Sequence, residues 1–303
     1  MRLKNTFVFA TIGAMVCAGT AFGQIQSVQD GNWSSTSTWQ NGNVPGAGED
    51  AVVKHAVTVD GNVTVDSLNI QKDATVDFSG SYTLEITDPA GLDVDDATGG
   101  DDPGMLNVDE SDAGVVISGG GTQPIDGKID LSADGSFLRI EDANATLGGG
   151  GELKLSHSAA ELQIEGADGR QVTIGSSLVM RGFGLVKTDA DAEFVPTFAN
   201  AGNVHADAAG KLRFMAGVAI SGAGDWHAET DSSAQLQFSQ QFTCASVTGD
   251  FNLSDGAEMI FDFDDTTRGT FTCTGTGTVS GAGSLEYGTD SGCNNGTVAS
   301  GCS

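Results

Sequence analysis

Apolar and polar residues alternate along most of the chain, in lines such as Val57-Thr58-Val59-Asp60, Val63-Thr64-Val65-Asp66, Leu68-Asn69-Ile70 and Leu84-Glu85-Ile86. A period of two places every second side chain on one face of a pleated strand, so each run predicts a half-buried strand of about four residues. Gly, Asp, Asn and Ser separate the runs, as turns require. Helical spacing never persists for three turns, and the chain reads as all-β.

One strand type returns at a nearly fixed interval. Leu138-Arg139-Ile140, Leu162-Gln163-Ile164, Leu185-Val186-Lys187, Leu212-Arg213-Phe214, Leu236-Gln237-Phe238, Met259-Ile260-Phe261 and Leu285-Glu286-Tyr287 follow one another at steps of 23 to 27 residues. Steps of that kind suit stacked coils whose turns accept insertions, whereas the strands of a sandwich keep no constant period. A Gly-x-Gly turn also recurs, at Gly149/Gly151, Gly182/Gly184, Gly222/Gly224 and Gly281/Gly283. Glycine there would supply the positive φ of a sharp corner between sheet faces. The expected fold is therefore a single-stranded parallel β-helix, a β-solenoid, over residues 51–303, with a Greek-key sandwich as the competing arrangement.

The first 23 residues carry Arg2 and Lys4, an apolar run from Phe7 to Ala18, and Ala21-Phe22-Gly23 before Gln24. That order matches a secretory signal peptide, and the apolar run is shorter than the ~20 residues a membrane helix needs. Its removal would take Lys+Arg from 13 to 11 against 41 Asp+Glu, moving the net charge from −28 to −30. A charge of that size argues against nucleic acid as a partner and favours a soluble monomer by self-repulsion. No later segment is apolar for long enough to span a bilayer. The expected setting is secreted, extracellular or at the cell surface.

Four cysteines follow the leader: Cys244, Cys273, Cys293 and Cys302. An even number in an exported chain favours two disulfides among three possible connectivities. Clustering favours Cys293 with Cys302 as a terminal staple and Cys244 with Cys273 across successive coils. Zinc is the rival use, but neither a CxxC pair nor a nearby histidine accompanies them. The C-terminal coils are thus expected to be disulfide-stapled.

An open solenoid leaves a hydrogen-bonding edge at each end, which must be covered. Trp33 and Trp39 are six apart and would share one side of an extended segment, so residues 24–50, with Pro45 and Asp50, are expected to form an N-terminal cap. Carbohydrate stacking on the same tryptophans is the alternative.

The run Gly31, Trp33, Trp39, Pro45, Gly48, Asp50 and Val52, continued by Val57 to Asp60 and Leu68 to Ile70, resembles the opening of secreted bacterial right-handed parallel β-helix proteins. It is similar also to the extracellular domain family named for eight conserved glycines. The resemblance covers about residues 31 to 86; beyond them only a glycine-rich coil texture like that of autotransporter passenger repeats continues. It implies right-handed coils, export, a surface or matrix setting and, in some members, glycan binding. It carries over no catalytic residue.

Candidate chemistry is sparse. Arg139 and Arg213 occupy outward positions of the repeated strand, with Gln163 and Gln237 on intervening coils, so stacking would gather them into a polar ladder able to read a glycan. Charge balancing against Glu141, Glu152, Glu161 and Glu165 is the plainer use of that ladder. Asp93, Asp95, Asp101 and Asp102 offer oxygen ligands for a structural calcium ion, without the spacing of a dedicated calcium loop. The same acidic run, or Asp262, Asp264 and Asp265 with Arg268, could supply the carboxylates of a polysaccharide lyase or hydrolase. The alternating threonines Thr270 to Thr278 lie along one strand and not across rungs, which argues against an ice-binding face. His55, His157, His205 and His227 share no ligand spacing and read as ordinary polar strand positions. The expected function is a structural or adhesive surface protein without catalytic activity and without a cofactor beyond such a calcium; the alternative is a polysaccharide-binding or polysaccharide-cleaving enzyme of the same fold.

Overall fold

The computed structural model describes residues 23–97, 101–141, 144–165, 170–188, 196–207, 210–215, 218–229, 234–239, 244–247, 250–254, 257–262, 279–281 and 284–287. Among them are 29 strands and one short 3-10 turn, Gln40–Gly42. The strands pair in parallel throughout, and the one antiparallel contact is the isolated bridge from Ser27 to Trp39. The fold is a parallel β-solenoid.

The described strands form three sheet faces. The first face includes Ala56–Val59, Thr75–Phe78, Met105–Val108, Lys128–Leu131, Asn203–Ala206 and Asp225–Ala228. The second includes Thr83–Ile86, Gly114–Ile117, Phe137–Ile140, Lys211–Phe214 and Gln235–Ser239. Two long strands, Glu152–Ile164 and Val179–Thr188, run through the corner and belong to both. The third face has an N-terminal part ending at Leu92–Val94 and a second part that begins at Gly121–Pro124.

Alternation builds the core by placing like residues over like. On the first face Val57, Val76, Leu106, Ile129, Leu153, Met180, Val204, Trp226 and Phe251 stand in one inward column, each in register with the next. All are buried. A single coil could not remove such an edge from water, so the neighbouring coils do it. From Phe198 onward the core between the three faces turns aromatic: Phe198, Phe214, Trp226, Phe238 and Phe251 pack with ring centroids 5.2 to 6.4 Å apart.

The corner glycines behave as their spacing suggests at three positions. Gly149, Gly182 and Gly222 have φ of 97°, 109° and 114°. A Cβ on Gly222 would lie 2.0 Å from the carbonyl oxygen of Asn200, so neither the dihedral nor the space admits a side chain. The buried Asn200 completes this corner, its Nδ2 donating to the Asp225 carbonyl at 2.9 Å and its Oδ1 accepting from the Gly202 amide at 3.0 Å.

The two parts of the third face meet at a seam. Val94 bridges to Ile125, but the amide of Leu92 donates instead to the side-chain Oε1 of Gln123, at 2.8 Å. Gln123 is fully buried, and its Nε2 donates to the Gly120 carbonyl at 3.1 Å. A side-chain amide thus replaces a missing ladder bond where an unpaired N–H would be costly.

The repeat read from sequence is displaced at one coil. Leu138 stacks on Leu162 as expected, but Leu162 stacks on Val186, and Leu185 faces Glu161. Val186 is buried and Leu185 only partly so. The leucine is the larger apolar residue, but pleat parity decides which of two neighbours points inward.

At the N-terminus, Ile25–Gln26 pairs with Ala51–Val52 and Gly31–Asn32 with Val57–Thr58, so parts of residues 24–50 extend the ladder itself. Trp33 and Trp39 do meet, but turns at residues 33–42 bring them together where an extended segment was expected. Their rings lie edge to face at 4.9 Å, and both are buried, 2% and 1% exposed. The Trp33 indole donates to the Pro45 carbonyl at 3.2 Å and that of Trp39 to the Trp33 carbonyl at 2.7 Å. Asp50 opens the strand Asp50–Val53 and accepts from the Ser67 hydroxyl at 2.6 Å. No helix among the described residues is long and apolar enough to cross a membrane. Residues 1–22 of the leader and Cys273, Cys293 and Cys302 lie outside the described residues; Cys244 opens the strand Cys244–Val247.

Candidate functional site

Two outward columns carry the polar side chains of the rod. On the second face, Arg139 stacks on Gln163 and Gln163 on Lys187, while Arg213 stacks on Gln237. The two groups do not form one ladder. Arg213 pairs with Leu185, two residues short of Lys187, so the register slip that turns Leu185 outward also divides the column.

Within these groups the polar atoms bond mainly to one another. Arg139 Nε donates to Gln163 Oε1 at 2.6 Å and lies 3.2 Å from Glu165 Oε1; its Nη1 reaches Glu141 Oε1 at 3.3 Å. The guanidinium also covers the Phe137 ring at 4.8 Å. Gln163 Nε2 donates to Glu161, whose other oxygen holds Lys187 Nζ at 2.8 Å. Arg213 Nε donates to Gln237 Oε1 at 3.0 Å. Gln163 and Gln237 are only 6% and 3% exposed. Stacking does gather the four residues by pairs, and it also ties up their hydrogen bonds.

The first face carries an outward column that sequence reading did not single out. Thr58 with Asp77, and Asn107, Asp130, Lys154, Arg181, His205, His227 and Asn252 in turn, stand in register, and the hydrogen bond from Asn107 to Asp77 joins the two runs. Asn107 Nδ2 donates to Asp77 Oδ1 at 2.8 Å, and Asp130 accepts from the Ser156 hydroxyl at 2.7 Å. Arg181 lies between Glu152, at 3.2 Å, and Asp207, at 3.5 Å.

Above Arg181 the column becomes two histidines. His205 and His227 are 22 residues apart in the chain, but adjacent strands place them in register with rings stacked at 4.3 Å and 13°. His205 Nδ1 lies 2.6 Å from Glu229 Oε1. A carboxylate can only accept, so Nδ1 carries the proton of this bond. Burial lowers the pKa of His227, and the neighbouring His205 lowers it further, against the opposing pull of Asp225 and Glu229. The ring of His227 is thereby held toward its neutral form. Among the described residues these three form the one group of histidine, cysteine or acidic side chains whose donor atoms all fall within 4.8 Å of one another.

The sequence candidates for calcium fall into two separate places. Asp93 and Asp95 share the amide of Asn69, at 2.7 and 3.5 Å. Burial raises the pKa of Asp93, with Asp95 and Asp126 adding to the effect and the Asn69 hydrogen bond opposing it. Asp101 pairs with Lys72. Asp102 exchanges hydrogen bonds with Asp73, each 2.9 Å. Of the other acidic run, Asp264, Asp265 and Arg268 lie outside the described residues.

No family model, curated protein or solved structure matches this chain. The functional reading therefore rests on the faces of the rod.

Proposed function

We propose that the protein is an exported structural or adhesive rod that holds an extended polar partner, a glycan strand of the surrounding matrix, along its first face and does no chemistry on it. The observation that carries this reading is the outward column from Thr58 to Asn252. Successive rungs stand ~4.8 Å apart, so the column offers hydrogen-bonding groups at a regular spacing similar to the length of one sugar ring. A net charge of −28 repels acidic chains and favours a neutral glycan.

The signal-like leader and the opening motif's likeness to secreted β-helix proteins support export. The buried Trp33–Trp39 pair supports a lid at the N-terminal end, since apolar rings over the first rungs would keep solvent and other edges away. Disulfides between Cys293 and Cys302 and between Cys244 and Cys273 would perform the corresponding task at the other end. The ladder at Arg139, Gln163, Arg213 and Gln237 fits charge balance within the rod better than glycan reading, because the slip that pairs Arg213 with Leu185 breaks it into two short groups of mutually bonded side chains.

The test is to incubate the protein with cellulose and chitin as neutral polysaccharides and alginate as an acidic one, with and without calcium, and to score retention and new chain ends together. Retention on a neutral polysaccharide without new ends is expected. New chain ends would replace this reading by the polysaccharide-cleaving one, and no retention on any of the three would remove the adhesive role.

A further inference from the structure

We propose that His205, His227 and Glu229 bind one divalent transition-metal ion of the zinc class, clipping two successive rungs of the first face together.

The donor set is of the right kind. Two imidazole nitrogens and one carboxylate oxygen suit zinc and its borderline neighbours, whereas calcium takes six to eight oxygens and magnesium a water-rich octahedron. The placement is also favourable, because parallel registry holds His205 and His227 on adjacent strands and the backbone of Glu229 is fixed by its amide donating to the Ala206 carbonyl at 2.9 Å. All three donor atoms already lie within 4.8 Å of one another. Ligands at 2.0–2.1 Å in a tetrahedron stand about 3.3 Å apart, so the wider separations of the group must close modestly while His205 Nδ1 and Glu229 Oε1, now 2.6 Å apart, open slightly. The rings lie stacked, and convergence of one nitrogen from each on a single ion requires one imidazole to roll about χ2, a soft torsion in histidine.

The proton balance is simple. The proton of His205 that now faces Glu229 moves by exchange through solvent from Nδ1 to Nε2, so the ring stays neutral, the freed Nδ1 lone pair takes the metal, and Glu229 exchanges that hydrogen bond for a metal–oxygen bond while keeping its charge. The guanidinium of Arg181, one rung below, is met by Glu152 and Asp207, so it does not leave an uncompensated positive charge beside the ion. Asp225 adds a negative field near His227. All three ligands remain partly exposed, leaving an entry path and room for water to complete the coordination. This inference stands independently of the glycan reading, since it uses only the registry of two strands.

The full chain, stripped with chelator, is dialysed against zinc in the presence of excess calcium, which occupies the generic acidic surface. One zinc per chain is expected to remain, and His205→Gln and His227→Gln are each expected to weaken it by about tenfold or more. Cobalt in place of zinc should give the visible absorption of a low-coordinate nitrogen–oxygen site. The unsubstituted protein supplies a second test: zinc should move the imidazole proton NMR signals of His205 and His227 while leaving His55 and His157 in place. No zinc retained against calcium, undiminished binding in both glutamine variants, or equal perturbation of all four histidines would each overturn the proposal.

Discussion

Leu162 stacks on Val186, and Leu185 lies beside Glu161 on the outward side of the same strand. This pairing fixes which side chains the second face shows to solvent, and it separates Arg139 and Gln163 from Arg213 and Gln237. Leu162→Ala should therefore cost about 2–5 kcal/mol, as deletion of a buried leucine does, while Leu185→Ala should cost under about 1 kcal/mol. Reversible unfolding in denaturant compares the two. Equal losses would mean that the sequence repeat, with Leu185 inside, describes the coil better.

Corner glycines differ sharply in what they tolerate. Gly222 combines φ of 114° with a Cβ position 2.0 Å from the Asn200 oxygen, whereas Gly48, at φ 84°, has open space around it. Gly48→Ala should cost about 1–2 kcal/mol, the price of a left-handed alanine. Gly222→Ala adds displacement of a neighbouring rung and should cost about 3 kcal/mol or more. Thermal melts of the two variants check the order.

At the third-face seam, the Gln123 side chain substitutes for a ladder acceptor. Gln123→Leu retains the bulk but leaves the Leu92 amide buried without its acceptor. A loss of about 1–3 kcal/mol is expected. Gln123→Glu retains an acceptor there, but forfeits the donor to Gly120 and buries a charge, so it should not restore stability. Denaturant midpoints of the three proteins measure this directly.

Two aspartates should change the acid dependence of stability in opposite senses. Burial, together with Asp95 and Asp126, raises the pKa of Asp93, so the folded state holds its proton more tightly and this residue's contribution falls as pH rises from the unfolded value of about 3.9 through the raised folded one. Asp93→Asn should consequently raise the melting temperature at pH 7. At Asp60 desolvation is the largest single influence and pushes the pKa up, but hydrogen bonds from the Ser34 hydroxyl and amide, at 2.6 and 3.0 Å, with those from the Asp60 amide and Asn32, together outweigh it, and the carboxyl is pulled down. Its contribution is present above pH about 3.9 and is lost as pH falls through the lowered folded value. Asp60→Asn should lower the melting temperature at pH 7, modestly because the site is exposed. Both differences should shrink once the pH lies below the folded values. Melting curves from pH 7 to pH 2 provide the check.

The all-β class, the parallel coil and three positive-φ corners were legible because each depends on local pattern: alternation, a recurrent interval and paired glycines. Leu185 was misplaced because a one-residue change of parity leaves the apolar texture intact while reversing every side chain. The histidine pair was invisible for a related reason. His205 and His227 are brought together by registry across 22 residues, and metal-ligand spacing within a strand or turn cannot report it. The coil interval that links Asn107, Asp130, Lys154 and Arg181 leads on to both histidines. Gln123 and Asn200 carry no sequence signal at all, since only the surrounding backbone makes their amides necessary.

The most direct measurement of the proposed role compares retention on cellulose and chitin between a first-face variant, Asn107→Ala with Lys154→Ala, and a second-face variant, Arg139→Glu with Arg213→Glu, both first shown to retain the parent's β circular dichroism. The account predicts that the first-face variant loses retention by about tenfold, as removal of two hydrogen-bonding anchors should, and that the second-face variant binds like the parent. Loss confined to the second-face variant, or equal retention by both, would contradict it.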